Sequence, residues 1–103
     1  MIKEFNIHDM EHQVAMKLVR SEIEMIGKNI LVFIHGYGAS SGMYKKLEET
    51  RNIGKSRIKK GQLTICISGP DLNTPLVRSN FDFEELAQLN KYIVNSGVTI
   101  MKK

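Results

Sequence analysis

At 103 residues the chain is long enough for one compact domain and too short for two independent cores, so residues 1–103 are read as a single domain. Apolar residues make up 42% and charged residues 25%, the composition of a folded chain rather than a disordered one. The longest apolar run, Ile30 to Ile34, is too short for a membrane-spanning helix, and no membrane partner is expected. Lys3 and Glu4 lead straight into mixed sequence, so a basic-then-apolar leader is not expected in this stretch. Cys66 is the single cysteine and lies within an apolar run, where it is expected as a buried small hydrophobe rather than a nucleophile. A cytoplasmic setting is the expectation.

The first element is a strand over about residues 3–8, where Phe5 and Ile7 alternate with Glu4 and Asn6 before His8. Asp9 is expected to cap the helix that follows, with Glu11 favouring its positive N-terminus. Ala15, Val19, Ile23 and Ile26 recur at spacings of four, four and three, the mark of an amphipathic helix that stops at Gly27. Asn29 to Ile34 then reads as a strand buried on both faces. Strand, helix and buried strand in this order make a βαβ unit.

A second helix is expected over about residues 43–52, with Met43 and Leu47 facing inward, and a third strand over Gln62 to Ile67. Gly69-Pro70-Asp71 and Asn73-Thr74-Pro75 mark a loop. Asp82 with Glu85 forms a capping box, stapled by Phe81 against Leu86, at the start of a helix over about 82–95. Phe83, Leu86, Ala87, Asn90, Ile93 and Val94 are its expected inner face. Gly97 ends it, and Val98 to Met101 form the last strand. The predicted fold is α/β, a two-layer or three-layer sandwich around a small, mostly parallel sheet of about four strands, in the order β-α-β-α-β-α-β.

Charge is unevenly spread along this layout. Residues 45–60 hold Lys45, Lys46, Arg51, Lys55, Arg57, Lys59 and Lys60 against Glu48 and Glu49, an excess of +5 that exceeds the net +4 of the whole chain. The segment follows the glycine-rich stretch Gly36-Tyr37-Gly38-Ala39-Ser40-Ser41-Gly42. Backbone N–H groups of such a turn cradle phosphate, and a basic segment beside them points to a polyanion. His8 and His35 end adjacent parallel strands, so they are expected to converge where open α/β sheets bind ligands, outside the strands' carboxyl ends.

Several short motifs compete for the same residues. Gly38-Ala39-Ser40-Ser41-Gly42 fits G-x-S-x-G, but the histidine of such a hydrolase follows its serine, and His8, His12 and His35 all precede Ser40. His8-Asp9-Met10-Glu11-His12 fits H-x-x-E-H, yet placing His8 on a strand separates the two imidazoles. Gly54-Lys55-Ser56 lacks the first glycine of a P-loop, since Glu49 stands there. Ser41 occupies the third glycine position of a dinucleotide fingerprint, which excludes that motif as well.

The pair "FNIHDM" and "VFIHGYGASSG", separated by one amphipathic helix, resembles the small MutS-related (Smr) domain family, as does the closing "SGVTIMKK". The likeness covers residues 4–67 best. It implies an α/β sandwich that binds DNA or RNA and, in several members, nicks it, with His8 matching the first-motif histidine and His35, Gly36 and Gly38 the second. The family's first-motif aspartate falls on Asn6 and its glycine on Asp9. Neutral Asn6 cannot act as a base, so binding transfers more directly than cleavage.

Three functions follow from these residues. The first is a nucleic-acid-binding domain that contacts the phosphate backbone through Gly36, Tyr37, Gly38, Ser40, Ser41, Lys45, Lys46, Lys55, Arg57, Lys59 and Lys60. The second is a DNA- or RNA-nicking endonuclease in which His8 and His35 share proton transfer and charge stabilisation; no cofactor is required, though such a reaction admits a divalent metal. The third is a protein-interaction or small phosphate-ligand-binding domain.

Overall fold

The computed structural model describes residues 1–36 and 43–103, with the side chains of Met43 and Tyr44 outside that description. The elements are β1 (Ile2–Asn6), α1 (His12–Glu24), β2 (Ile30–Ile34), α2 (Met43–Lys59), β3 (Ile65–Ser68), α3 (Pro75–Arg78), α4 (Phe83–Leu89) and β4 (Val98–Lys102), with short 3-10 turns at Pro70–Asn73 and Asn90–Tyr92. The strands form one sheet in the order β1-β2-β4-β3. β1 and β2 are parallel, as the βαβ reading requires, with Asn6 opposite Ile34. β4 runs antiparallel to both β2 and β3. The sheet is therefore mixed, which corrects the expectation of a mostly parallel one. The simple alternation of strands and helices is corrected too, because two turns and two short helices fill the stretch between β3 and β4. That stretch covers one whole face of the sheet, and β4 returns from it in the reverse direction.

Alternation along the strands explains the two cores. Leu31 and Phe33 of β2, with Met101 of β4, meet Ala15, Met16, Val19 and Ile23 of α1 and Ile53 of α2. Ile30, Val32 and Ile100 face the other way, onto Leu72, Phe81, Leu89 and Tyr92. Phe33 is fully buried and stacks on Phe5 with ring centroids 5.5 Å apart. Burial of such a side chain is worth about 2–3 kcal/mol, so Phe33→Ala would break this side of the sandwich. Helices thus lie on both faces of the sheet, and the fold is an α/β sandwich.

Local expectations fail where tertiary contacts override them. Glu11, not Asp9, caps α1, its carboxylate accepting from the N–H groups of Gln13 and Val14 at 3.2 and 3.1 Å. α2 continues past Asn52 to Lys59, through Gly54, because the absence of a side chain there lets the helix pack directly on the Cys66 sulfur. The capping box of Asp82 and Glu85 is present, and Phe81 before it is buried. Phe83 and Val94 are exposed, however: α4 ends at Leu89 and a 3-10 turn follows, which rotates the period so that Leu89 and Tyr92 point inward. Among the described residues, no helix is long and apolar enough to cross a membrane.

Candidate functional site

The register of β1 and β2 brings their carboxyl ends side by side, and the Ile7 N–H extends the ladder by donating to Ile34 O at 2.8 Å. His8 and Gly36 therefore meet just beyond the strands. A Cβ on Gly36 would lie 2.5 Å from His8 Cδ2, and Gly36 has φ +80°. Glycine is required there twice over, for the left-handed backbone and for the close approach of the imidazole. Asn6, at the position of the expected acid, accepts the His8 backbone N–H through Oδ1 at 3.1 Å. Asp9 Oδ1 lies 3.0 Å from His8 Nδ1, a pairing available because Glu11 has taken over the helix cap.

His35 does something different. Its residue exposure is 0%, and it continues the Leu31–Phe33 side of β2 into the interior. Nδ1 is 2.8 Å from Gly36 O, and a carbonyl only accepts, so Nδ1 carries the proton. Nε2, 2.7 Å from Thr99 Oγ1, then accepts from that hydroxyl. Thr99 Oγ1 in turn accepts from Arg51 Nε at 3.1 Å, and Arg51 Nη2 donates to Ser96 O and Val98 O at 3.2 Å each. Burial lowers the His35 pKa to about 4; the bond to Gly36 opposes this and the Arg51 charge adds to it. His35 is neutral at pH 7, with both ring nitrogens engaged. The Gly36 N–H is engaged as well: with the His35 N–H it donates to Gly97 O at 3.0 Å. It is not one of the free turn donors that the sequence led us to expect. Tyr37, Gly38, Ser40 and Ser41 lie outside the described residues.

The basic segment divides into two groups. Lys46 is only 8% exposed, and its Nζ donates to His8 O at 2.7 Å. Arg51 is held as described above, and Arg57 pairs with Glu24 while donating to Gln62 Oε1 at 2.6 Å. Lys45, Lys55, Lys59 and Lys60 are exposed. Lys45 and Lys59 are separated by ~21 Å along the α2 axis, so Lys59 and Lys60 lie at the end of the helix remote from His8. The structure thus brings Lys46 to the site, turns Lys45 toward a groove it shares with Glu11, His12, Glu48 and Glu49, and keeps Arg57, Lys59 and Lys60 away from it.

The remaining motif residues have local roles. His12 bonds to Glu49 on α2, beside Arg20. Gly54-Lys55-Ser56 is mid-helix, with no strand leading into it. Burial raises the Cys66 thiol to about 11, with the charges of Arg51 and Lys55 opposing, as suits a packed thiol rather than a nucleophile. Among the described residues, no three His, Cys, Asp or Glu side chains are grouped as metal ligands would be.

Neither family models, nor curated proteins, nor solved structures give a match to this chain. Function is therefore argued from the chemistry of the site. Arg51 and Thr99 are the members that the motif search missed. Both had a periodic signal: Arg51 stands on the Leu47–Thr50–Gly54 stripe of α2, and Thr99 is one position from two buried residues of a strand.

Proposed function

We propose that the protein binds the phosphate backbone of a nucleic acid, DNA or RNA, over the carboxyl ends of β1 and β2. The observation that carries this reading is Lys46. The residue is more than nine-tenths buried, its ammonium donates to His8 O, and among the described residues no carboxylate pairs with it. Among the described residues a carbonyl is its one partner, and a cation drawn out of water is costly unless an anion completes the site. Half-exposed His8, packed over Gly36, stands beside the place where that anion would sit. The resemblance to Smr domains in the two histidine-bearing segments points to the same class of ligand.

Cleavage shared by two histidines is disfavoured by the same geometry. His35 has no ring nitrogen left for proton transfer, and Asn6 is no base. Binding without hydrolysis is the principal reading. One observation favours a second: Asp9 orients His8 Nδ1, the arrangement that makes an imidazole a general base through Nε2. Nicking of supercoiled plasmid separates the two, because equal nicking by wild type and His8→Ala excludes hydrolysis through His8.

Fluorescence anisotropy with duplex and single-stranded oligonucleotides across a salt series tests binding itself. The expected result is an affinity that falls linearly on a log–log plot against salt and drops further in Lys46→Gln. Absence of salt-dependent binding removes the proposal. Binding of inorganic phosphate but of no oligonucleotide transfers the site to a small phosphate ligand.

A further inference from the structure

A cleft of about 320 Å³ opens between α2 and the end of β3, lined by Arg51, Lys55, Cys66, Ile67, Ser68 and Asp71. It lies at the same end of the sheet as His8 and Gly36, because β1, β2 and β3 all run in one direction. Arg51 is fixed at its wall by one hydroxyl and two carbonyls, all neutral, so its charge is uncompensated. Nη1 has no hydrogen-bond partner among the described residues. Lys55, one helical turn further along α2, projects its exposed ammonium on the same side. Both charges reach the Cys66 thiol at the cleft floor, where they pull its pKa down against burial. The Ser68 N–H is taken by Asp71 Oδ2 at 2.9 Å, and the hydroxyl of this lining residue makes no hydrogen bond among the described residues.

The charges define the ligand. Arg51 and Lys55 against Asp71 leave the cleft at +1. A phosphodiester carries one negative charge, whereas a terminal phosphate carries about 1.5 to 2 at pH 7 and would bring its excess against Asp71. We propose that this cleft is a second phosphodiester subsite, which takes an internal phosphate of the same nucleic-acid strand that lies over His8, Gly36 and Lys46. The inference rests on the binding reading above and extends it to a path. β1 and β3 are the two edges of the sheet, three strand spacings or ~14 Å apart, so a strand must be several nucleotides long to fill both subsites. The two subsites are tied together by the chain of hydrogen bonds from Arg51 through Thr99 and His35 to Gly36.

The test is anisotropy with labelled single-stranded oligonucleotides of increasing length, on wild type, Lys46→Gln, Asp71→Asn and the double variant Lys55→Gln/Ser68→Ala. Circular dichroism and thermal melting confirm that each variant is folded. The double variant is expected to bind long oligonucleotides roughly tenfold more weakly, the loss expected for one charge-assisted contact, with a salt slope lower by about 1, and to bind a dinucleotide like wild type. Asp71→Asn is expected to let inorganic phosphate compete where it does not in wild type. If the double variant matches wild type at every length while Lys46→Gln is impaired, the second subsite is overturned and the first stands. If wild type shows no salt-dependent binding, both fall.

Discussion

Acidification should destabilise this protein through His35, and the structure sets the size of the effect. The ring is fully buried, its Nδ1–H is given to Gly36 O, and its Nε2 accepts from Thr99, so a second proton must displace the Thr99 hydroxyl hydrogen, carries its charge out of water and lies beside the Arg51 charge. The folded-state pKa is lowered from 6.5 to about 4. Between those values the unfolded chain binds the proton that the folded chain refuses, so stability rises with pH across this window. The contribution is fully present above 6.5 and lost as pH falls through about 4, amounting to about 3 kcal/mol at 1.36 kcal/mol per pKa unit. Set against a total of roughly 5–15 kcal/mol for a chain of this size, that is a large share. Urea unfolding followed by circular dichroism from about pH 7 to about pH 4.5 should show the midpoint falling steadily below pH 6.5. Nitrogen NMR of the ring should report a single protonated nitrogen, Nδ1, throughout the folded range. A His35 ring that titrates near 6.5 in the folded protein, or a midpoint that stays constant, would refute the reasoning.

Lys46→Met should leave thermal stability unchanged or raise it, because a neutral side chain of similar length replaces a buried lysine with no carboxylate partner among the described residues, while oligonucleotide affinity falls. Scanning calorimetry beside anisotropy reads both, and a variant that unfolds shows that the ammonium is structural. Gly54→Ala would gain stability in an ordinary helix; here its Cβ collides with Cys66 Sγ, so a loss of about 1–3 kcal/mol is expected, largely recovered in the Cys66→Ala background. A double-mutant cycle by urea denaturation measures the coupling, and additivity would exclude the contact. Asp82→Ala removes the carboxylate that accepts from the Glu85 N–H at 2.8 Å and should cost about 1 kcal/mol by the same assay.

The elements with a strong period were legible in the sequence. Ala15, Val19, Ile23 and Ile26 are all buried, and so are Ile30 to Phe33, because a repeating apolar position reports burial directly. The parallel pairing of β1 and β2 follows from the βαβ order, which by itself places His8 beside the turn that begins at Gly36. The burial of His35 was also written there, since it continues the Leu31–Phe33 alternation by one more step, and the glycines after it drew attention instead. Strand direction had no such signature. Val98 to Met101 is apolar at every step but Thr99 and would read the same in either orientation, so its insertion between β2 and β3 depends on where residues 70–95 leave the chain. The +5 segment was legible as composition but not as a surface, because Lys46, Arg51 and Arg57 turn inward on a helix whose outer face mixes Lys45, Lys55 and Lys59 with Glu48.

The reversed direction of β4 is what makes the proposed site possible. An antiparallel β4 begins where β1, β2 and β3 end, so the carbonyls of Ser96, Gly97 and Val98 arrive at that edge of the sheet. They hold Arg51, the His35 backbone and the Gly36 backbone, and Thr99 supplies the hydroxyl between Arg51 and His35. All of these acceptors are neutral. Arg57 and Lys102, at other parts of the fold, are instead paired with Glu24 and Glu85. An acid in place of Thr99 would fix Arg51 equally well and would cancel its charge. Neutral acceptors fix the guanidinium and leave the charge available, and the same holds for Lys46 on His8 O. Rigid, uncompensated cations at one end of a sheet add little to folding stability and much to the capture of a phosphate chain, which is why the site's affinity, rather than its stability, should be the quantity most sensitive to salt.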